Sequence, residues 1–465
     1  MRAERRLPVG VTVGLLSTLV LVVLAADQAA ASNVATGLQD DGGDLDVPTW
    51  LFLATGGAVI GASGLLATLV TDRAFVDTLH DWHRSLPLRV PRPLDLAAGT
   101  LGVALLVGVV ALAITGPQLG NANFGVLVVF VGGRAGLVML SYLLVNPYDA
   151  LDPFRRIARV LPNGFVPYPE RLGAWPAVGG LLALIWVEIV FPVIEEPSTL
   201  AAVVVCYTLY TVAGGLVFGP DDWFHYADPL AVLFRLFGAV APIQRADRGF
   251  RFVLPGARLR DTDVVTGTGG VAFVLALVWE LTYSGFVTTP PGVATVSWFA
   301  GLGIPPGAVY LLLLLGGFGA FVGAYWLATE WARRTADSYL SARYLSVRFA
   351  PPLLAIAAGY HLAHYFTFFL SLSPSLAAVL ATPLSPPLPP IQLGLPGWMG
   401  GLDVAFVLAG HVLAVWAAHA ASFAVFPGRL QAIRSQFPFV LVMILYTTVS
   451  LWLLSLPSVE PAFVG

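Results

Sequence analysis

The stretch GYHLAHYF, residues 359–366, sets His361 and His364 three positions apart in an otherwise apolar segment. Of the chain's seven histidines, two more, His411 and His419, stand in the apolar stretch GHVLAVWAAHAAS. Imidazoles at i and i+3 share one helix face. With a third from a neighbouring helix, their neutral nitrogens could hold one transition metal ion, and an opposed pair could hold haem iron. The plainer reading makes them core histidines that hydrogen-bond one helix to the next. Ionisable groups in similar surroundings complete the candidate set: Arg134, Glu188, Glu280 and Asp403. Such groups are costly at membrane depth and face a bundle interior. Arg134 keeps its proton and needs a carboxylate, with Glu188 and Glu280 the best placed. Beyond that pairing, Arg134 could stabilise an anionic substrate, Glu188 or Asp403 could act as general base, and a bound metal would activate water.

The elements that must position these residues are helices. Residues are 57% hydrophobic and 11% charged, against about 25% charged in an ordinary soluble domain. Apolar runs of roughly 20 residues, the length of a membrane-crossing helix, recur along the chain. The fold class expected is an all-α polytopic membrane protein, with residues 49–465 forming a single transmembrane helical domain. Ten runs are predicted, near 49–70, 95–115, 123–145, 174–194, 199–218, 264–284, 307–329, 349–372, 402–426 and 436–456. Ahead of them, MRAERRLPVGVTVGLLSTLVLVVLAADQAAASN carries a charged start, an apolar run and A-x-A spacing at Ala29 and Ala31. This reads as a signal peptide over residues 1–31 cut after Ala31, or as a first anchor helix. Residues 32–48 are then an external acidic segment.

Arginine orders the loops. Arg73, Arg84, Arg89 and Arg92 follow the first run, and Arg155, Arg156, Arg159 and Arg171 the third. The region Arg235 to Arg260 follows the fifth, Arg333, Arg334, Arg343 and Arg348 the seventh, and Arg429 and Arg434 the ninth. The intervening loops, among them GPQLGNAN, PVIEEPS and the Pro-rich 373–401, contain none. Cytoplasmic loops carry the basic excess, so the mature N-terminus and the C-terminus are expected outside a multi-pass plasma-membrane protein. Counting about 1.5 Å per residue, His361 and His411 fall at nearly one depth, roughly 18 and 17 Å from the inner edge.

Other features set bounds. All 24 basic residues are arginine, so a Schiff-base lysine and a P-loop lysine are excluded. The one cysteine, Cys206, allows no disulfide framework and reads as a small buried hydrophobe. His80, His83 and His225 read as juxtamembrane loop residues, and Glu330 as interfacial. The inner stretch DDWFHYADPLAVLFRLFGAV reads either as an amphipathic interfacial helix or as a segment packed under the bundle. No internal repeat is evident, which weakens a transporter built from inverted repeats.

Several segments together resemble the integral membrane protein family labelled fenitrothion hydrolase-like. They are DVPTWLF, NPYDALDPFRRIARVLP, YPERLGAWPAVGGLLALIWVEIVFP, FAPPLLAIAAGYHLAHYF and GHVLAVWAAHAAS. The resemblance implies the same fold and points to Glu188, His364, His411 and His419. Ser32-Asn33 stand where relatives begin their mature chain with His-Gly, so a role for a terminal histidine is absent here. The family label implies organophosphate hydrolysis.

Three functional expectations follow. One is a metal-dependent membrane hydrolase, with His361, His364 and His411 holding the ion, His419 in reserve, and an apolar or anionic small molecule arriving from the outer side. The second is a transporter or metal-handling permease. The third is a redox or assembly subunit holding haem or copper. The lipid bilayer is the partner expected, and no nucleic acid.

Overall fold

The computed structural model describes residues 49–87, 91–246 and 249–463. The expected signal peptide and acidic segment lie outside them. Among the described residues the chain is a helical bundle. Its helices are α1 (Thr49–Leu69), α2 (Arg73–Asp81), α3 (Arg92–Thr115), α4 (Phe124–Leu143), α5 (Pro153–Val160), α6 (Trp175–Val190), α7 (Pro197–Phe218), α8 (Pro229–Gly238), α9 (Gly267–Val287), α10 (Pro290–Gly301), α11 (Pro306–Thr335), α12 (Ala342–Phe349), α13 (Leu353–Ala381), α14 (Gly400–Val425) and α15 (Arg429–Leu454).

Eight of these spans are long and apolar enough to cross a membrane: α3, α4, α7, α9, α11, α12 with α13, α14 and α15. The other two expected crossings are irregular. α6 has 16 residues, about 24 Å of rise against a hydrocarbon core of about 30 Å. The second half of α1 meets α2 at a bend of 113°. α9 is the central helix: 94% of its most apolar window is buried, and α6, α11, α13 and α15 pack around it. α3 and α11 are peripheral, with 22% of theirs buried.

Short polar side chains and prolines start the helices. Asn123, fully buried, accepts from the Gly125 and Val126 amides (2.8 and 3.3 Å) at the head of α4. Asp152 accepts from Phe154 and Arg155 (3.1 and 3.0 Å) and caps α5. Both satisfy amides that the first helical turn leaves unpaired. Proline occupies the first turn of α3, α6, α7, α8, α10 and α11, where its missing N–H has no partner to lose.

Two prolines inside helices explain where the expected boundaries moved. α13 runs through Pro374 to Ala381, and α15 begins at Arg429 and runs through Pro438. An interior proline frees the carbonyl four residues back. The Ser373 hydroxyl donates to the Leu370 carbonyl (2.9 Å). The Thr335 hydroxyl, from α11, donates to the Arg434 carbonyl (3.3 Å). With those carbonyls satisfied both helices continue, and the Pro-rich loop shrinks to residues 382–399.

α13 and α14 cross at Gly359 and Gly410. A Cβ on Gly359 would stand 2.6 Å from the Phe406 carbonyl oxygen, and one on Gly410 would stand 2.6 Å from that of Ala355. Only glycine permits so close a backbone approach, the small-residue packing of membrane helices.

The arginine-bearing loops gather at one end of the bundle. β1 (His83–Leu86), β2 (Ile243–Ala246) and β3 (Gly249–Val253) form an antiparallel sheet in the order β1-β3-β2, with His83 opposite Val253 and Ile243 opposite Phe252. This sheet, absent from the all-α expectation, joins the loops after the first and fifth runs. Arg73 donates to the Phe426 and Pro427 carbonyls (2.6 and 3.2 Å). Arg156 pairs with Asp95, Arg159 with Asp221 and Arg260 with Asp77. Arg348 donates to the Arg260 carbonyl (3.0 Å). These links and the Thr335–Arg434 bond tie all five loops into one surface. At the other end Val459 donates to the Thr288 carbonyl and Tyr310 to that of Ala462.

The stretch containing α8 follows the second of its two readings, a segment packed with the bundle: Pro229, Ala231, Val232, Phe234, Leu236 and Phe237 are buried. Two smaller expectations are corrected. Cys206 is exposed on peripheral α7, the surface an apolar thiol can present to lipid. His80 is not a solvated loop residue, since its ring stacks on Trp416 (6.0 Å) and both its nitrogens are buried. Glu330 pairs with Arg333 and Arg334 at the arginine-bearing end, as an interfacial residue would.

Candidate functional site

Arg134 lies ten residues into α4, about 15 Å from its start, within turns widened to π-helix over Leu127–Leu137. Such turns gather at functional sites. Its guanidinium pairs with two carboxylates at once: Nη1 with Glu188 of α6, and Nη2 with Glu280 of α9. The third nitrogen, Nε, donates to the Tyr365 hydroxyl of α13 (2.6 Å), and the Tyr365 ring lies 5.4 Å from the guanidinium carbon. The buried arginine therefore has both of the carboxylates its charge called for. Tyr365 was not foreseen, although it stands four residues after His361 and so shares a helix face with it.

His361 braces the backbone behind this cluster. A carbonyl only accepts, so the contact with the Arg134 carbonyl (3.0 Å) places the proton on Nε2. Bare Nδ1 then accepts from the Tyr142 hydroxyl (3.1 Å). The ring is a neutral tautomer with both nitrogens engaged.

Of the other candidate histidines, His364 touches the edge of this cluster through Tyr365, whereas His411 and His419 bond elsewhere. His364 sets its ring against Tyr360 and Tyr365 (6.0 and 5.6 Å between centroids). His411, fully buried on α14, donates through Nδ1 to the Val407 carbonyl (2.8 Å) one turn earlier, and its Nε2 has no hydrogen-bond partner among the described residues. His419 sits between the Val70 carbonyl (2.8 Å from Nε2) and the Gln436 side-chain oxygen (3.0 Å from Nδ1), joining α14 to the α1–α2 bend and to α15. Asp403 stands in the first turn of α14, with Oδ1 buried and unpartnered. Among the described residues no three His, Cys, Asp or Glu side chains gather as a metal ion would need. Depth and i,i+3 spacing fixed only height and face. They did not fix the side-chain conformation, which turns His411 back onto its own helix.

The guanidinium–dicarboxylate cluster forms part of the wall of a cavity of about 380 Å³. Arg134 is 24% exposed, Glu188 15% and Glu280 11%, and all three line this space. The rest of the wall is almost entirely apolar: Leu105 and Leu106 of α3, Phe130 of α4, Ile185 of α6, Val203 and Val204 of α7, and Phe234 and Phe237 of α8 are examples. α3 and α7 are peripheral helices, so the cavity is one helix layer from the outside of the bundle. Towards the arginine-bearing end it is floored by Tyr148, Phe154 and Tyr207. Beneath the floor the Tyr207 hydroxyl donates to Asp228 (2.6 Å), which also caps α8 through the Ala231 amide (2.7 Å). Burial pushes the Asp228 carboxyl up. Burial, then the Asp228 charge, pushes Asp152 up to about 7.

This geometry can hold a mostly apolar molecule against one charged, hydrogen-bonding spot. Two carboxyl groups share one guanidinium at that spot. No family model, curated protein or solved structure matches the chain.

Proposed function

We propose that the protein is an integral membrane protein that binds a mostly apolar small molecule in the α3–α4–α6–α7–α8 chamber, with the Arg134–Glu188–Glu280 cluster reading its polar part. The observation that supports this is the partial exposure of three charged side chains into an apolar cavity at membrane depth. Charge is retained inside a bundle where it contacts a pathway or a ligand, and a concave apolar space with a few convergent polar groups is the usual form of a small-molecule site. The ligand reaches it from the bilayer past peripheral α3 and α7. The test is the set of small molecules that copurifies with the protein, read by mass spectrometry of solvent extracts. Wild type should carry a species depleted in Val204→Trp, whose indole would project into the chamber and take up part of its volume. Identical extracts from the two proteins would count against the proposal.

The arginine-bearing end faces the cytoplasm in this reading, by the bias of basic residues towards that side, and the host membrane is the plasma membrane. Metal-assisted hydrolysis, which the resemblance implies, receives less support. It would need bare imidazole nitrogens converging on one point, whereas both nitrogens of His361 and of His419 face protein partners. Transport of the bound molecule fits the chamber better than hydrolysis does, because its floor continues into the polar Tyr207–Asp228 cluster.

A further inference from the structure

We infer that the chamber selects a lipophilic monocation. The inference rests on the binding role proposed above and names the class of ligand.

Three observations carry it. The first is charge balance. Among the described residues, Arg134, Glu188 and Glu280 are the side chains with a formal charge on the chamber wall, and two carboxyl groups counted against one guanidinium give a formal sum of one negative. His361 is neutral by its hydrogen bonds, as argued above. An excess charge of one sign in a low-dielectric space attracts its opposite and repels its like far more strongly than it would in water. The second is the state of Arg134. Anions are held by a guanidinium fork with donors to spare. Here three of its five N–H donors are already given, one from each nitrogen, to Glu188, Glu280 and Tyr365, and an anion reaching the other two would stand beside both carboxyl groups. The third is the wall. Phe130, Phe234 and Phe237 present aromatic groups to the same space, and aromatic faces attract a desolvated cation. The site thus disfavours the anionic substrate expected from Arg134 alone and favours a cation carried on a bulky apolar body.

The probes are tetraphenylphosphonium and tetraphenylborate, nearly identical in shape and opposite in charge. Each is measured by equilibrium dialysis against the full-length protein in lipid nanodiscs, with binding to empty nanodiscs subtracted. Tetraphenylphosphonium should bind saturably and at least about tenfold more tightly than tetraphenylborate, a ratio well within one buried unit charge. Glu188→Gln and Glu280→Gln should each weaken the phosphonium by about tenfold or more. Either change leaves a one-to-one ion pair on Arg134, so both variants should elute as wild type on size exclusion. Val204→Trp should remove binding of the phosphonium altogether.

If Val204→Trp removes binding, but the two probes bind alike or the glutamine variants bind the phosphonium as wild type does, the cation inference is overturned and the chamber stands. If Val204→Trp leaves binding unchanged, or neither probe exceeds empty nanodiscs, the chamber reading itself is overturned.

Discussion

Replacing Arg134 by Met tests the central cluster most directly. Methionine keeps much of the side-chain volume and removes the charge and the donors. Two carboxyl groups are then left inside the bundle without the guanidinium that faced both. Buried without that charge, they take up protons in preference to staying charged. Bringing a carboxyl of ordinary pKa, about 4.3, to its neutral form at pH 7 costs about 3.7 kcal/mol, at about 1.36 kcal/mol per pH unit. For Glu188 and Glu280 together that is about 7 kcal/mol, above the roughly 3–5 kcal/mol typical of breaking a simple buried pair. At pH 5 the same arithmetic gives about 2 kcal/mol for the two. The sign follows from linkage: the folded variant binds more protons than the unfolded chain, so its stability rises as pH falls. The assay is the thermal midpoint of a fluorescent-protein fusion by size exclusion at pH 5 and pH 7, for Arg134→Met and for the triple variant Arg134→Met/Glu188→Gln/Glu280→Gln. The single variant should be far below wild type at pH 7 and recover most of the gap at pH 5. The triple variant should be close to wild type at both. A single variant equally unstable at the two pH values, or a triple variant no better than the single, would refute the charge argument.

Other expectations follow from separate parts of the molecule. Gly359→Leu should abolish folded protein on size exclusion, because its side chain would meet backbone at the α13–α14 crossing. Gly359→Ala should cost about 1–3 kcal/mol, checked by thermal midpoint. Thr335→Val removes the bond to the solvent-facing Arg434 carbonyl and should cost about 0.5–1.5 kcal/mol, whereas Thr335→Ser should cost much less. The raised Asp152 carboxyl makes the folded state bind an extra proton between about pH 4 and pH 7. Wild-type stability should therefore fall as pH rises through that window, by up to about 1.4 kcal/mol per pH unit. Asp152→Asn keeps the cap and should flatten that slope in thermal melts. Reporter fusions after Asn163 and after Asp337 should read cytoplasm and one after Pro386 outside; a reversed signal at any one would overturn the orientation.

The helices were the most legible part of the sequence, because a membrane helix announces itself by length and composition alone. The alternation of arginine was equally plain, and the links among Arg73, Arg156, Arg159, Arg260 and Arg348 gather their loops at one end. Arg134's need for a carboxylate could be read from chemistry, since a buried guanidinium has few other options. The choice of both glutamates could not, because it depends on how α4, α6 and α9 are rotated about their axes. His361 and His411 show the same limit: depth along a helix is a one-dimensional quantity, and convergence of side chains is not. That α13 continues through Pro374 and α15 through Pro438 was not legible, because Ser373 and Thr335, which bond the freed carbonyls, are ordinary hydroxyls whose direction no pattern reveals. The chamber left no trace in the sequence, for an apolar wall around a space and an apolar wall packed shut have the same composition.

The glycine crossing has a mechanical consequence. Helices that meet through long side chains can slide past each other as rotamers change. α13 and α14 meet backbone to backbone at Gly359 and Gly410, so there is no cushion to shear, and the two helices move as one rigid lever. Tyr365, clasping Arg134, rides on that lever at the chamber. His419, gripping the Val70 carbonyl at the α1–α2 bend, rides on it at the arginine-bearing end. A displacement that loosens the ion cluster must therefore pull on that distant elbow, and fixing the elbow would hold the cluster shut.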